Sequence, residues 1–402
     1  MRLSSRIPSD WTPSPWSECI EELHQRARLG EFDLIDLTVS SPMACGIHWT
    51  GEPLQNILQK REPWMQWRPD ARGSLETRQA ICDYEQNRHG FIGNPQELLL
   101  TAGTSEAYSL LFRVLCNPGD QVLVPRPGYP LLDVLAGLDN LECVGYDLRD
   151  DNSRWSLVPE ALGNLAPRAK VLLVVNPNNP TGSMLAYEEW LALGAYCAKR
   201  DLALVVDEVF ADYPLVVGLP PPWRELSEQC VVFRLNGLSK TVGLPQAKLA
   251  WLWCHAPQGL RAELDAALEY VADAFLSVSA VAELWAIPLL QQHAGIQAQV
   301  QARIEANLAR ALSLLQPLGV HIVPPQGGWY LSVFTEGMDD EAFAMALATK
   351  SHVLVQPGYF FDFPEDGWLV CSLLAEPTRF ELGIKHWCEL WKGIRNESPS
   401  IL

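Results

Sequence analysis

The segment Leu202-Ala-Leu-Val-Val-Asp-Glu-Val-Phe210 indicates the fold of this chain. A short, continuous apolar run that ends in an acidic pair is typical of a strand buried on both faces, and therefore of a parallel sheet covered by helices. Similar runs recur, and we predict strands at Leu98–Thr101, Gln121–Pro125, Val171–Val175, Leu202–Asp207, Val231–Leu235 and Lys248–Cys254. Helical patterns such as Ser105–Cys116 and Ala186–Arg200 alternate with them. This alternation predicts an α/β fold with a mostly parallel, helix-covered sheet.

The last third of the chain follows a different pattern. A long helical segment runs from Val281 to Leu315 without a strand. Beyond it we predict strands at Val320–Val323, Tyr330–Phe334, Val353–Gln356 and Leu369–Leu373, with helices near Asp340–Thr349 and Thr378–Ile394. Elements grouped in this way predict a separate α+β unit. At the other end of the chain, proline and tryptophan at Pro8, Trp11, Pro13, Pro15 and Trp16 predict an irregular arm that is ordered only by packing.

The composition excludes several classes of protein. The chain has 402 residues, of which 48% are apolar, and a net charge of −18. We therefore expect a soluble globular protein of two domains that binds neither nucleic acid nor anionic membrane surfaces. We also expect no transmembrane helix and no secretory signal. The ten cysteines form no metal-ligand spacing, so we expect no metal site and a reducing, cytoplasmic location.

Four short motifs carry reactive or ligand-binding groups. Thr101-Ala-Gly-Thr-Ser-Glu106 is a hydroxyl-rich turn that opens a helix, and free N–H groups at such a turn attract a phosphate. Asn179-Pro-Thr-Gly182 offers a neutral hydrogen-bond donor at a rigid turn. Asp207 ends a predicted strand, at the edge where parallel sheets bind their ligands. Leu238-Ser-Lys240 then provides an amine, so the chain offers an anion cradle, a donor, a carboxylate and a lysine in that order.

Pyridoxal 5'-phosphate (PLP) requires this set of groups from a protein. It needs a phosphate site, a partner for its O3' atom, a carboxylate for its ring nitrogen and an amine for a Schiff base. The order and spacing of the motifs resemble the class I/II aminotransferases, which are fold-type I PLP enzymes of the aspartate aminotransferase superfamily. The resemblance runs from about residue 35 to 390, nearly the whole chain. It implies fold-type I architecture, with a large domain on the parallel sheet and a small α+β domain.

The resemblance implies a role for each matching residue. Lys240, within Asn236-Gly-Leu-Ser-Lys-Thr-Val-Gly-Leu-Pro245, corresponds to the Schiff-base lysine, which then acts as the base that moves a proton. Asp207 would keep the ring nitrogen protonated, and Asn179 would donate to O3'. The other cofactor-binding positions would be Gly103, Thr104, Ser105 and Lys248 at the phosphate, Ser239 beside it, and Tyr129 stacked on the ring.

Each of these residues also has an ordinary structural interpretation. Lys240 is then a surface lysine on a polar turn, and Asp207 is a helix N-cap. Asn179 belongs to a strand-to-helix connector, Tyr129 to the core, and Gly103–Ser105 to a plain helix start. The combination of the motifs in one order favours the functional interpretation.

Three neighbouring positions complete the pattern. Glu208 is a weaker candidate than Asp207, because its side chain should point to the opposite face of the strand. Asn176 lies earlier in its turn than Asn179 and is likewise the weaker candidate. Gly327-Gly-Trp-Tyr330 resembles the small-domain strand that lines the substrate side in the family.

The chain departs from the family pattern at several positions. Phe210 stands where most relatives have a tyrosine that donates to O3', and Gly237 stands where a phosphate-binding serine is common. Lys248 replaces an arginine, which exchanges a bidentate fork for a point charge. Trp67 takes the place of a tyrosine that reaches the neighbouring subunit's phosphate. Val370 replaces the arginine that binds the substrate carboxylate.

The missing arginine leaves three explanations open. Another arginine binds the carboxylate, and Arg68, Arg72 and Arg126 are candidates because they flank the cofactor motifs. Alternatively, the substrate bears no α-carboxylate at that place, or catalysis is slow and promiscuous. We favour a relocated clamp because the rest of the PLP machinery is nearly complete.

We therefore predict a PLP-dependent aminotransferase that moves an amino group between an amino acid, or a related amine, and a 2-oxo acid. The resemblance implies an N-terminal arm that joins the small domain (1–48), a large PLP-binding domain (49–285) and a C-terminal small domain (286–402). It also implies a homodimer with shared active sites. The alternatives are another PLP reaction, such as β-elimination by a C–S lyase or decarboxylation, and a non-catalytic PLP-binding regulatory protein.

Overall fold

The structure, a computed structural model, describes residues 4–8, 13–49, 69–157, 162–163, 165–257, 259–276 and 278–397. Trp11, Trp67 and Arg68 lie outside the described residues. Among the helices of the described part, none has both the length and the apolar character needed to cross a membrane.

Strands and helices alternate through most of the described chain. The strands are β1 (Ile35–Asp36), β2 (Leu98–Thr101), β3 (Gln121–Arg126), β4 (Glu142–Asp150), β5 (Trp155–Leu157), β6 (Ala169–Val175), β7 (Ala203–Asp207), β8 (Val232–Gly237), β9 (Ala250–His255), β10 (Tyr330–Phe334), β11 (Val353–Leu354), β12 (Gln356–Pro357) and β13 (Trp368–Ser372). The helices are α1 (Pro15–Arg28), α2 (Leu75–His89), α3 (Thr104–Leu115), α4 (Leu131–Leu138), α5 (Tyr187–Arg200), α6 (Trp223–Gln229), α7 (Leu238–Thr241), α8 (Arg261–Phe275), α9 (Ala280–Gln291), α10 (His293–Leu315), α11 (Asp340–Ser351) and α12 (Pro377–Glu397).

An eight-stranded sheet forms the centre of the described chain, in the order β2-β9-β8-β7-β6-β3-β4-β5. The neighbours from β8 to β4 all pair in parallel. Strand β9 is antiparallel to both β2 and β8, and β5 is antiparallel to β4. The sheet is mostly parallel, which confirms the predicted fold class.

The central strands are buried on both faces, which explains their unbroken apolar sequences. Along β6, Val171, Leu173 and Val175 join one hydrophobic cluster, whereas Leu172 and Val174 join the other. Helices α3 and α8 contribute to the first cluster, and α5 contributes to the second. Because strand side chains alternate between faces, each apolar run supplies both cores.

The sequence did not predict strands β4 and β5, which lie at the edge of the sheet. Because an edge strand is partly exposed, polar residues interrupt the apolar run of Glu142–Asp150. The predicted strand Val320–Val323 is not a strand; His321 forms only an isolated bridge with Phe334. The predicted helical segment Val281–Leu315 contains two helices, because the backbone leaves helical angles at Gln292 (φ −109°, ψ 14°).

The N-terminal segment contains a helix, which corrects the predicted irregular arm. The Ser14 side chain accepts a hydrogen bond from the Ser17 N–H at 3.2 Å and caps α1. Pro15 occupies the first helical position, where the missing N–H costs nothing. Trp16 and Leu23 are buried. The prolines therefore mark the start of a helix.

The N-terminal segment packs against the C-terminal part of the chain. Helix α1 contacts α11, and β1 pairs in parallel with β11. The C-terminal part also contains an antiparallel sheet of order β10-β13-β12. The predicted strand Val353–Gln356 is divided, because β11 pairs with β1 whereas β12 pairs with β13.

Candidate active site

A cavity of about 440 Å³ opens at the carboxyl edge of the parallel sheet. The ends of β6 and β7, the turn after β2 and helix α7 after β8 all contribute to its lining. Strand β9 contributes its first residue, Ala250, because it runs in the opposite direction. Open α/β sheets bind their ligands at this edge.

The site residues predicted from the sequence all line this one cavity: Lys240, Gly103, Thr104, Ser105, Tyr129, Asn179, Asp207, Ser239 and Lys248. Ser40, Phe210 and Tyr330 line it as well. The structure thus brings together residues from distant segments of the chain. Their individual roles remain predictions.

Lys240 lies in the short helix α7, directly after β8. Burial lowers the pKa of its amine to about 8, although the charge of Asp207 opposes this shift. The amine donates to the carbonyl oxygen of Ser40 at 3.4 Å and lies 3.3 Å from the Ser40 hydroxyl. The hydroxyl of Tyr213 donates to the backbone carbonyl of Lys240 at 2.7 Å. The amine is therefore oriented, and it loses its proton more readily than an exposed lysine does.

Asp207 ends β7 and is buried, with 4% of its surface exposed. It accepts hydrogen bonds from the Tyr108 hydroxyl at 2.6 Å and from the Val209 N–H at 3.0 Å. Burial raises the pKa of Asp207, while these two bonds and the Lys240 amine oppose the rise. The two hydrogen bonds thus hold the carboxylate in place, and with the Lys240 charge they offset part of the cost of burying its negative charge.

Glu208 points away from the cavity, as the alternation of strand side chains predicts. Its carboxylate accepts from Arg234 at 2.6 Å, and Arg234 also pairs with Glu85 at 3.0 Å. All three side chains are buried. Glu208 therefore belongs to a buried network of ion pairs that does not line the cavity.

The start of helix α3 forms one end of the cavity. The N–H groups of Glu106 and Ala107 are bonded to the carbonyl of Gly103. Those of Thr104 and Ser105 have no acceptor among the described residues. Free N–H groups at a helix start, together with the helix dipole, favour an anion.

Lys248 brings a positive charge to the same end. It lies in the left-handed region, with φ +52°, and a Cβ built on Gly103 would be 3.6 Å from its amine. Gly237 is required by packing, since a Cβ there would approach the Cβ of Ala250 to 2.8 Å. The serine that relatives carry at this position would not fit here, which leaves Ser239 as the hydroxyl of this motif that lines the cavity.

The three asparagines of the Asn176–Gly182 turn differ in their hydrogen-bond partners. The Asn176 side chain accepts from the Leu185 N–H at 2.9 Å. The Asn178 side chain donates to the Pro127 carbonyl at 3.4 Å and accepts from the Thr181 hydroxyl at 2.9 Å. The Asn179 side-chain oxygen is buried and has no partner among the described residues. Asn179 is therefore the amide left open to the cavity.

Phe210, which stands where the family pattern has a tyrosine, makes apolar contacts through its ring. Its ring packs edge-on against Trp329, at a centroid distance of 5.0 Å, and against Tyr330 at 6.0 Å. The Lys240 amine lies 5.7 Å from its centroid. The nearby phenol of Tyr213 is bonded to the Lys240 backbone and is absent from the cavity lining.

Val370 brings no charge to the C-terminal sheet. It is fully buried in β13, directly opposite Ser332 on β10 and Gln356 on β12, so the three side chains share one face. The Ser332 hydroxyl donates to the Pro180 carbonyl at 3.4 Å, which orients this face toward the asparagine turn. Gln356 lines an outer cavity of about 370 Å³ that shares Tyr129, Asn179 and Tyr330 with the first cavity.

Two of the candidate arginines do not reach either cavity. Arg72 pairs with Asp265 at 2.9 Å and with Glu269. Arg126 pairs with Asp133 at 2.7 Å and Asp362 at 3.0 Å. Neither arginine lines the two cavities, so the expectation of a relocated clamp at these positions is wrong. The third candidate, Arg68, lies outside the described residues.

Sequence reasoning missed Ser40, Tyr108 and Tyr213. A signal for Tyr108 was present, because it lies four residues after Thr104 and hence on the same face of α3. Ser40 and Tyr213 carry no local signal. Each contacts Lys240 only because segments far apart in the chain are packed together.

Comparison with known proteins agrees with this geometry. The family model described as aminotransferase class I and II matches residues 66–382. The chain therefore belongs to the class I and II aminotransferases, a family of fold-type I PLP enzymes, and is a transaminase.

Individual relatives share a quarter of the residues. The chain is 27% identical over 358 residues to a probable N-acetyl-LL-diaminopimelate aminotransferase of Bacillus subtilis, covering 88% of each chain. It is 24% identical over 376 residues to a glutamate-pyruvate aminotransferase of Escherichia coli K12, covering 90% of this chain and 91% of that protein. Among solved structures, an alanine aminotransferase from Pyrococcus furiosus has a TM-score of 0.88 at 21% identity, covering 98% of this chain and 100% of that chain. This structural likeness shows the fold.

Proposed function

We propose that this transaminase binds PLP in the cavity at the sheet edge and that Lys240 carries it as a Schiff base. The observation that supports this most is an amine of lowered pKa facing the same cavity as a buried carboxylate, Lys240 and Asp207. A neutral amine is needed to attack an aldehyde, and a carboxylate favours the protonated ring nitrogen.

The remaining residues fit the other groups of the cofactor. The side-chain NH2 of Asn179, which has no acceptor among the described residues, suits the O3' atom, and the face of Tyr129 suits the ring. The free N–H groups at the start of α3 suit a dianionic phosphate. Phosphate contacts are proposed for Gly103, Thr104, Ser105, Ser239 and Lys248.

Lys240 is proposed to move the proton that transamination requires. Bound PLP supplies the electron sink that stabilises negative charge at the α-carbon of the donor. The Nζ atom of Lys240 takes the proton from that carbon, holds it as an ammonium and releases it again. A pKa of about 8 suits this task, because such a group both accepts and gives up protons near neutral pH.

The substrates are proposed to be an amino acid, or a related amine, and a 2-oxo acid. The names of these relatives refer to alanine, to glutamate and pyruvate, and to N-acetyl-LL-diaminopimelate, so their substrates agree in chemical class and differ in identity. The outer cavity beside Gln356 is mostly apolar, at Pro130, Leu131, Val134, Phe360 and Phe361. We therefore favour a donor with an apolar side chain.

We propose a cytoplasmic homodimer with shared active sites. All ten cysteines are free, which supports a reducing compartment. Exposed apolar side chains at Tyr270, Phe275 and Leu276 support a surface at the end of α8 that the second subunit covers.

We also propose the division into domains that the resemblance implies. The pairing of β1 with β11 supports the grouping of the N-terminal arm (1–48) with the small domain (286–402), next to a large domain (49–285).

The test combines trapping with a screen of amino donors. Borohydride treatment of the holoenzyme, followed by peptide mapping, should locate the cofactor on Lys240. Each donor is then added alone, and loss of the visible Schiff-base band with formation of pyridoxamine 5'-phosphate reports the first half of transamination. Trapping on Lys248 or another lysine contradicts the assignment. Sulfide or carbon dioxide release supports the alternative PLP reactions, and a coloured protein that converts no donor supports the regulatory alternative.

A further inference from the structure

The contact between Ser40 and Lys240 defines a further site residue. We propose that Ser40 is a positioning residue, which holds the protonated amine of Lys240 between the uptake and the release of the substrate proton. The proposal rests on the proposed function, because it assigns Ser40 to the proton transfer of that same site.

Ser40 offers two oxygen atoms to one amine. The Lys240 Nζ atom lies 3.4 Å from the Ser40 carbonyl oxygen and 3.3 Å from its hydroxyl. Two aromatic rings lie beside the amine, which is 4.9 Å from the centroid of Trp329 and 5.7 Å from that of Phe210. The charge of Asp207 acts on the amine from the same cavity. An ammonium in such surroundings needs acceptors to replace lost water, and Ser40 supplies them.

Trp329 fixes the Ser40 hydroxyl in position. Its indole N–H donates to the Ser40 Oγ atom at 3.0 Å, and its ring is fully buried. The ring packs against Phe210 at 5.0 Å and against Tyr213 at 5.3 Å. Because indole nitrogen only donates, the Ser40 oxygen must accept from it. The hydroxyl hydrogen therefore points elsewhere, and the Lys240 amine and the phenol of Tyr330 are the groups nearby that can accept it.

This arrangement serves both protonation states of Lys240. When the amine is an ammonium, its hydrogens point to the Ser40 carbonyl and to a remaining lone pair of the hydroxyl. When the amine is neutral, one hydrogen still points to the carbonyl, while the hydroxyl hydrogen can turn to the nitrogen lone pair. The proton gained from the α-carbon is later released by the same nitrogen, so Ser40 gains and loses no atom.

Ser40 belongs to a segment that is anchored on the C-terminal part of the chain. The Leu37 carbonyl, three residues earlier, accepts from the N–H of Ser372 at 2.6 Å. Trp329 likewise lies next to β10, and its carbonyl accepts from the Leu373 N–H at 2.8 Å. The C-terminal part thus holds the serine and its indole partner, while α7 holds the lysine.

The first measurement uses the apoprotein and needs no turnover. Competitive labelling of Lys240 with a lysine reagent at a series of pH values, read by mass spectrometry, reports the pKa of its amine. Ser40→Ala should lower that pKa by several tenths to about one unit, because the bond that the hydroxyl oxygen accepts from the ammonium is charge-assisted and stronger than the bond it makes with the neutral amine. The other titratable groups of the cavity, namely Asp207, Lys248, Tyr129 and Tyr330, are the same in both proteins.

The second measurement uses the holoenzyme with α-protiated and α-deuterated L-alanine, or with the fastest amino acid of the donor screen if alanine is slower. Ser40→Ala should lower kcat about tenfold, with a larger deuterium isotope effect and a nearly unchanged KM. Ser40→Thr should restore most of kcat, because it keeps the hydroxyl. Trp329→Phe should change the isotope effect in the same direction. Ser41→Ala, a neighbour whose hydroxyl makes no hydrogen bond within the described residues, is the control.

The outcomes separate the inference from the proposed function. Wild-type protein that converts no donor overturns both. Active wild-type protein with an unchanged Lys240 pKa and isotope effect in Ser40→Ala overturns the inference alone. A threonine variant as slow as the alanine variant also overturns it, since the hydroxyl would then not be the group that matters.

Discussion

Tyr108 donates its phenolic hydrogen to the Oδ2 atom of Asp207 across 2.6 Å, and both side chains are buried. The bond joins the second turn of helix α3, whose first residues line the cavity, to the end of strand β7. It stabilises the ionised form of a carboxylate whose burial raises its pKa. The helix that is proposed to bind the phosphate thereby also holds the group proposed for the ring nitrogen.

Tyr108→Phe is expected to weaken PLP binding. A hydrogen bond to a charged group contributes about 1.5–3 kcal/mol, so the dissociation constant should rise roughly tenfold or more. Equilibrium titration of the apoprotein with PLP measures it. Tyr146→Phe is the matched control, because that buried phenol donates to the Leu173 carbonyl at 2.8 Å and lies outside the cavity lining. Equal losses of affinity in both variants would contradict a specific role for Tyr108.

The pH dependence of cofactor loading should report the pKa of Lys240. Only the neutral amine attacks the aldehyde, and burial lowers its pKa to about 8. The rate of Schiff-base formation in the apoprotein should therefore rise about tenfold per pH unit below 8 and level off above it. Because the charge of Asp207 raises the lysine pKa, Asp207→Asn should move the profile to lower pH. A profile that still rises steeply at pH 10 would show an ordinary exposed lysine.

Phe210→Tyr should lower the pKa of the Schiff base of the holoenzyme. A phenol that donates to O3' stabilises the deprotonated form, and one pKa unit corresponds to about 1.4 kcal/mol. The new hydroxyl must be accommodated beside Trp329 and Tyr330, against which the Phe210 ring packs. Spectral titration of both proteins measures the change. An unchanged or raised pKa in the tyrosine variant would mean that another group already satisfies O3'.

Val370→Arg should improve the recognition of amino acids. The register places position 370 opposite Gln356, which lines the outer cavity, so a guanidinium there would lie beside the substrate. The KM for an amino acid should fall about tenfold, whereas that for the corresponding simple amine should not. Val370→Met, a larger side chain without charge, controls for crowding of this buried site. A fall in KM for both kinds of donor would indicate a change in packing only.

Arg72→Ala should cost stability and leave substrate binding unchanged. Arg72 is 6% exposed and pairs with Asp265 and Glu269, which are partly exposed, so we expect a loss of about 1–3 kcal/mol on unfolding. Arg224→Ala removes an exposed pair with Glu228 and should change stability by less than about 0.5 kcal/mol. Denaturant unfolding measures both variants. A strongly raised KM for amino acids in Arg72→Ala would contradict this and would indicate that Arg72 binds the substrate carboxylate.

The sequence by itself determined the parallel sheet and the composition of the site. The strands β2, β3, β6, β7, β8 and β9 lie within two residues of their predicted positions, because burial on both faces demands unbroken apolar runs. The positions of Asp207 and Lys240 at strand ends follow from the same local signals. Since parallel strands place their carboxyl ends at one edge, motifs that follow such strands meet there whatever the intervening helices are.

Only the tertiary structure decided which atoms are free and which are already bonded. Asn176, Asn178 and Asn179 look alike in the sequence, yet two of them hold their turn together and one faces the cavity. The arginines at 72 and 126 flank the motifs in sequence, but their guanidinium groups pair with carboxylates elsewhere. Ser40 meets Lys240 across 200 positions of chain. Such contacts depend on how distant segments pack, and no local pattern of residues encodes them.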